Sequence, residues 1–269
     1  MLPAATTQED RGPVIEAESL WCGYSDQPVL RDVSFKIQPG EFVAILGPNG
    51  SGKTTLMLAL SGIVPIQQGS IRFSGDDLEQ LTHRERARRM AAITQDSELR
   101  LPFSCREVVW MGRYPHQKRW QLETANDYRV VERSMTLTDT ESLADRLITA
   151  VSGGEKQRVM MGRALAQETA VLLLDEATSA MDIRRKLQVF RVLEELNQRD
   201  AITVLAVLHD INLAALFCRR LMFLREGELV ADGPTQQILT PENLESVYRT
   251  RVLVQEIAEV GRKQVVFIP

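Results

Sequence analysis

The sequence predicts an α/β fold built on a parallel sheet, with an N-terminal antiparallel β subdomain and an inserted α-helical subdomain. Three observations carry that expectation. The runs "EFVAILG", "AVLLLD" and "ITVLAVLH" are continuously apolar, of strand length and separated by helical stretches, as strands buried on both faces are. Ahead of them, "VIEAESLWCGY" through "VLRDVSFKIQPG" alternates apolar and polar residues between Gly, Pro and Asp breaks, the pattern of antiparallel strands. Between Asp96 and Ser152 the buried-strand runs disappear, and "CREVVWMGR" and "ETANDYRVVERSMTL" carry their apolar residues at helical spacing.

Taken in order, "EFVAILG" leads into the helical "KTTLMLALSG", and after the insert "AVLLLD" and "ITVLAVLH" return the chain to the sheet. Beyond Gly233, "TQQILTPENLESVYRT" reads as short helices, and "RVLVQEI" with "KQVVFIP" as a terminal strand pair. Function is expected at the carboxyl ends of the parallel strands, where helix starts and loops gather.

Composition narrows the class. With 269 residues, 44% of them hydrophobic, the chain can bury a full core but is short for two large domains. A net charge of −4 supplies no broad attraction for a nucleic-acid backbone, so no nucleic-acid partner is expected. The apolar runs fall well below the roughly 18 residues that span a bilayer, and "MLPAATTQEDRGP" lacks a signal peptide's basic and apolar regions, so a cytoplasmic chain is expected. Cys22, Cys105 and Cys218 are widely separated and show no CxxC spacing, which supports neither a disulfide framework nor a zinc site.

Chemistry concentrates in three places. "GPNGSGKT", Gly47 to Thr54, matches G-x-x-x-x-G-K-[ST] between a buried strand and a helix, the context that a P-loop NTPase core requires. In that reading Gly47, Pro48, Asn49, Gly50, Ser51, Gly52 and Thr55 contribute backbone around phosphate oxygens. Lys53 adds a point charge toward the β- and γ-phosphates, and Thr54 offers a hydroxyl to Mg²⁺. "VLLLDEAT" sets Asp175 and Glu176 at a strand end, where paired carboxylates are costly unless a cation or a reaction uses them. Such a pair can also cap the next helix; beside a P-loop, Asp175 suits the Mg²⁺ shell and Glu176 a base that orients water. His209 ends "ITVLAVL" at the same edge, as a core or capping residue or as a γ-phosphate contact. Gln95, ending "AAIT", could touch Mg²⁺ or water at the border of the insert.

With the P-loop, "VSGGEKQR", "VLLLDEAT" and His209 in this order, the chain resembles the ATP-binding subunit of an ABC transporter across essentially its whole length. The resemblance implies a single ABC ATPase domain over 1–269. Residues 14–95 and 159–235 would form the catalytic core, 96–158 the helical subdomain with the signature loop, and 236–269 a C-terminal extension. It also implies that Gln95 is the Q-loop glutamine, that Ser152, Gly153, Gly154 and Glu155 form the signature, that Ser179 to Asp182 form the D-loop, and that Tyr24 stacks on adenine. Val151 stands where Leu is usual and the D-loop reads "SAMD" where "SALD" is common; neither changes a polar group.

A finer likeness, carried by "VVWMGRYPH" and "LTPENLESVYRTRVLV", is to the ATPases that serve uptake of iron chelates, haem and vitamin B12. It implies a head-to-tail homodimer with two ATP molecules between the subunits, integral membrane permease subunits and, indirectly, a substrate-binding protein. The chain would then lie peripherally on the cytoplasmic face of the inner membrane, its face around Arg113 and Tyr114 receiving the permease. The alternative in the same family is a soluble ATPase of iron–sulfur cluster assembly or a scaffold without a permease. The "SGGE" segment is also an S-x-x-E capping box, able to close a helix start of its own.

Overall fold

The computed structural model describes residues 12–24, 27–94, 101–117, 123–259 and 261–268. Gly23 and the breaks after it bound β1 (Ile15–Cys22), which pairs antiparallel with both β2 (Leu30–Ile37) and β4 (Ile66–Phe73), while β5 (Asp76–Asp77) edges β4. Strand β2 buries Leu30, Val33, Phe35 and Ile37 and exposes the residues between, as a sheet with one wet face requires.

The second sheet holds β3 (Phe42–Leu46), β6 (Met90–Ile93), β7 (Val171–Asp175), β8 (Thr203–Val207), β9 (Arg220–Arg225) and β10 (Glu228–Pro234), in the order β10-β9-β3-β8-β7-β6. All its pairs are parallel except β9 with β10. Every residue of β3, β7 and β8 is buried, which explains their uninterrupted apolar runs. The two faces of β3 then feed different cores. Val43 and Ile45 pack with the antiparallel sheet and α1 (Lys53–Leu60), whereas Phe42, Ala44 and Leu46 pack with the core that includes α6 (Ile183–Asp200) and α7 (Ile211–Phe217).

Helix α2 (His83–Arg89) precedes β6. The insert follows as α3 (Cys105–Trp110), α4 (Ala125–Leu137) and α5 (Gly153–Ala166), with α3 and α4 packed on α5. Helix α5 runs unbroken through residue 158, the border expected between insert and core. Its last turns bury Ala164, Leu165 and Ala166 while the helix also packs against β6, so one helix joins both parts. After β10 come α8 (Thr235–Ile238), α9 (Pro241–Tyr248) and the hairpin β11 (Val252–Ile257) with β12 (Arg262–Phe267). Asn212 of α7 holds that hairpin through both backbone groups of Val265, at 2.7 and 3.2 Å. No helix among the described residues is long and apolar enough to cross a membrane.

Candidate functional site

Parallel strands end at one edge, and that geometry assembles the site. Strand β3 runs straight into the glycine loop, and α1 begins at Lys53 with Gly52 as its N-cap. Gly52 has φ +99°, a left-handed conformation that selects glycine, and it packs against the Leu30 side chain. No side chain caps α1. Its first amides therefore remain available to an anion at the positive end of the helix.

Residues Asn49 to Thr55, Glu176 and His209 line a cleft of about 670 Å³ at this point. Lys53 is buried, and its ammonium donates to the Gly47 and Pro48 carbonyls at 2.9 and 2.8 Å. Burial holds that ammonium below the ordinary lysine range, while Glu176 and then Asp175 pull it back up.

Asp175 closes β7 and is only 1% exposed. Its Oδ1 lies 3.5 Å from the Thr54 hydroxyl, and its buried Oδ2 has no hydrogen-bond partner. Burial pushes the Asp175 carboxyl above the usual range, Thr54 opposes the shift, and the Glu176 charge adds to it. An orphaned buried carboxylate oxygen beside a hydroxyl is an all-oxygen donor set, which fits a hard divalent cation such as Mg²⁺.

Asp175 pairs in register with Val207 of β8, so Glu176 and His209, 33 residues apart, emerge side by side. His209 Nε2 meets Glu176 Oε1 at 2.5 Å. Glu176 sits at φ +51°, a left-handed conformation that a non-glycine residue holds only when its surroundings enforce it. Lys53, Thr54, Asp175, Glu176 and His209 thus meet at one edge of the sheet, setting a buried ammonium, a hydroxyl, two carboxylates and an imidazole around the start of α1.

The remaining expected residues are distributed elsewhere. Ser152 caps α5, accepting the Glu155 amide, while Glu155 Oε2 accepts the Ser152 amide at 2.8 Å. Those hydrogen bonds hold the Glu155 carboxyl below its ordinary range. None of Ser152, Gly153, Gly154, Glu155 or Asp182 lines the P-loop cleft; Asp182 caps α6 by accepting the Arg185 amide at 3.0 Å. Tyr24, just beyond β1, is 65% exposed. Gln95 lies outside the described residues.

Arg113 corrects one expectation. Expected on a permease-facing surface, it is buried, with Nε 2.9 Å from Asp127 and Nη1 at 2.8 Å from Glu168 and 2.7 Å from the Ala166 carbonyl. Two carboxylates and a carbonyl make it a staple between α4 and the end of α5, because a buried guanidinium must be paired. Tyr114, next to it, is exposed. Tyr248 went unrecognised in the sequence. Burial pushes its phenol up to about 12, and the Gly47 backbone beside the hydroxyl opposes that shift. Its only local signal is a place in a short amphipathic helix, and contact across 201 residues of sequence leaves no pattern to read.

Residues 30–179 match the ABC transporter family. The cobalamin import ATP-binding protein BtuD of Halobacterium salinarum is 36% identical over 241 residues, covering 90% of this chain and 60% of that protein. The chain thus spans about 60% of that relative's length. The ferric enterobactin transport ATP-binding protein FepC of Escherichia coli K12 is 36% identical over 255 residues, covering 94% of this chain and 93% of the relative. Among solved structures, an ABC transporter described as metal-chelate type, in an inward-facing conformation, superposes with a TM-score of 0.81 at 27% identity, covering 96% of this chain and 98% of the other. A dimeric ATP-binding cassette in a post-hydrolysis state with ADP and Pi gives 0.74 at 25% identity, covering 82% and 98%.

Proposed function

Because the chain belongs to the ABC transporter family, we propose that it is the ATP-hydrolysing subunit that powers a membrane permease importing an iron chelate, haem or cobalamin. The observation that carries the reading is the single cleft shared by the uncapped start of α1, Lys53, Glu176 and His209. The names of the relatives support the substrate class, and coverage of 93% of the enterobactin transport protein supports an ATP-binding subunit.

In this mechanism the loop amides and Lys53 bind and orient the triphosphate of ATP, and Tyr24 offers its exposed ring to adenine. Thr54 and Asp175, with Gln95, would hold Mg²⁺, which when bound neutralises charge on the β- and γ-phosphates. Glu176 accepts a proton from, and orients, the water in line with the γ-phosphate. His209 holds the Glu176 carboxylate at that position and contacts the γ-phosphate. Phosphoryl transfer asks mainly for positioning and charge stabilisation, which these groups supply.

The signature residues Ser152 to Glu155 and Asp182 lie apart from the cleft of their own chain, which fits a head-to-tail homodimer in which they address the partner's ATP. The dimeric cassette among the structural neighbours supports a dimer. Binding would draw the subunits together and hydrolysis release them, gating permease subunits served by a substrate-binding protein. The chain would sit on the cytoplasmic face of the inner membrane, held there by the permease.

Mixing Lys53→Ala chains with Ser152→Ala chains tests the shared site. Each mixed dimer should regain one intact site and measurable ATPase activity, although both parents lack it; mixed dimers that form yet stay inactive would remove the reading. Copurification with an integral membrane protein separates it from a soluble assembly ATPase.

A further inference from the structure

Within one chain the start of α5 is bolted to the loop that follows Glu176. Gln157, half-buried on α5, uses both ends of its carboxamide. Its Nε2 donates to Ser179 Oγ at 3.1 Å, and its Oε1 accepts the Ala180 amide at 3.1 Å. Gly154, on the same helix face three residues earlier, lets that loop approach: a Cβ there would lie 3.3 Å from the Ala180 carbonyl oxygen. From the other side, the Ser179 amide donates to the Glu176 carbonyl at 3.0 Å, and the Met181 amide to the Thr178 carbonyl at 3.1 Å. Gln157 is therefore two hydrogen bonds from the backbone of Glu176, the residue held at φ +51°.

We propose that Gln157 is a positioning residue whose carboxamide locks residues 179 and 180 to α5 and, through Ser179, holds Glu176 in its left-handed conformation at the cleft. The inference deepens the ATPase reading above and rests on it for the role of Glu176. Its consequence is mechanical. The signature loop that a chain offers outward and the base it keeps for its own cleft move as one body, because a single side chain ties them.

The chemistry of the amide supplies the test. Gln157→Leu removes both bonds at similar volume. Gln157→Glu keeps both, since one carboxylate oxygen can accept the Ala180 amide and the other a proton from the Ser179 hydroxyl, which can donate or accept. Hydrogen exchange on the full chain without nucleotide reads the lock directly. Exchange across residues 177–182 should rise about tenfold in Gln157→Leu, the worth of one to two neutral hydrogen bonds, and stay within about threefold in Gln157→Glu. ATP hydrolysis should show kcat down about tenfold in Gln157→Leu with KM within about twofold, and recovery in Gln157→Glu.

Unchanged exchange in Gln157→Leu, a loss confined to KM, or equal losses in both variants would overturn the inference. Should Gln157→Leu also loosen α5 itself, Ser179→Ala removes the hydroxyl partner from outside the helix. It should raise exchange of 177–182 by about threefold, and no rise would count against the lock. Glu176→Gln, run in parallel, keeps the two readings apart. Normal hydrolysis there would sink the catalytic role of Glu176, while the exchange data would still decide whether Gln157 holds the loop.

Discussion

Two helices of this chain, α1 and α5, begin on glycine-rich turns, and they satisfy their first amides in opposite ways. Helix α5 closes its own start with Ser152 and Glu155, as α2, α3 and α4 do with Thr82 and Glu85, Ser104 and Glu107, and Thr124 and Asp127. Helix α1 has no side-chain cap and instead has Gly52 in a left-handed conformation, with Lys53 behind the loop and two carboxylates in front. Glycines alone therefore do not leave a helix start open to a phosphate in the cleft of the same chain. What distinguishes α1 is amides left without an internal acceptor, next to a buried cation and a carboxylate oxygen that lacks a partner.

The comparison can be broken most forcefully at Glu176, which belongs to the α1 cleft alone. Glu176→Gln should slow ATP hydrolysis by about 10² to 10⁴-fold while nucleotide still binds, as measured by steady-state turnover beside equilibrium binding. Next in size is the cation. Lys53→Ala should weaken ATP binding to the isolated chain about 100-fold, the worth of a charged hydrogen bond or two, whereas Ser152→Ala should leave that affinity within about twofold. Equal losses at both positions in a titration of monomeric chain would show that α5 serves its own cleft.

Smaller effects appear in stability. Burial raises the Asp175 carboxyl in the folded chain, so folded protein keeps that proton to higher pH than unfolded protein does, and stability is lost as pH rises through that window. Asp175→Asn should accordingly raise the nucleotide-free Tm by about 2–4 °C near pH 7.5, with the gain vanishing as pH falls below the ordinary carboxylate range. Smallest is the cap itself. Ser152→Ala removes the acceptor for the Glu155 amide and should cost about 1 kcal/mol, seen as a Tm lower by about 2–4 °C. A thermal scan without nucleotide checks both, and their opposite signs separate a strained site from a structural one.

Local rules made much of this legible. The unbroken apolar runs of β3, β7 and β8 announced buried parallel strands because each is covered on both faces. The P-loop could be read because its function depends on consecutive residues, and the same holds for the S-x-x-E box at Ser152. Arg113 could not. The likeness of "VVWMGRYPH" to importer ATPases suggested a permease-facing surface, yet the carboxylates that bury it, Asp127 and Glu168, lie 14 and 55 residues away. Tyr248 on the Gly47 backbone and Gln157 on the loop at 179 and 180 were invisible for the same reason, since neither partner is close in sequence.

The sequence by itself determined the main element types, the glycine loop with its lysine, the carboxylate pair at a strand end and the capping box at Ser152, because each rests on contacts within a few residues or on a period of two or 3.6. Only the tertiary structure decided that Glu176 and His209 touch, that the buried Oδ2 of Asp175 lacks a partner, and that Ser152 stays out of the cleft while Gln157 ties its helix to the loop after Glu176. Those outcomes depend on strand order and on which helix face packs inward, and the free energy that selects them is spread over two cores whose members come from the whole length of the chain.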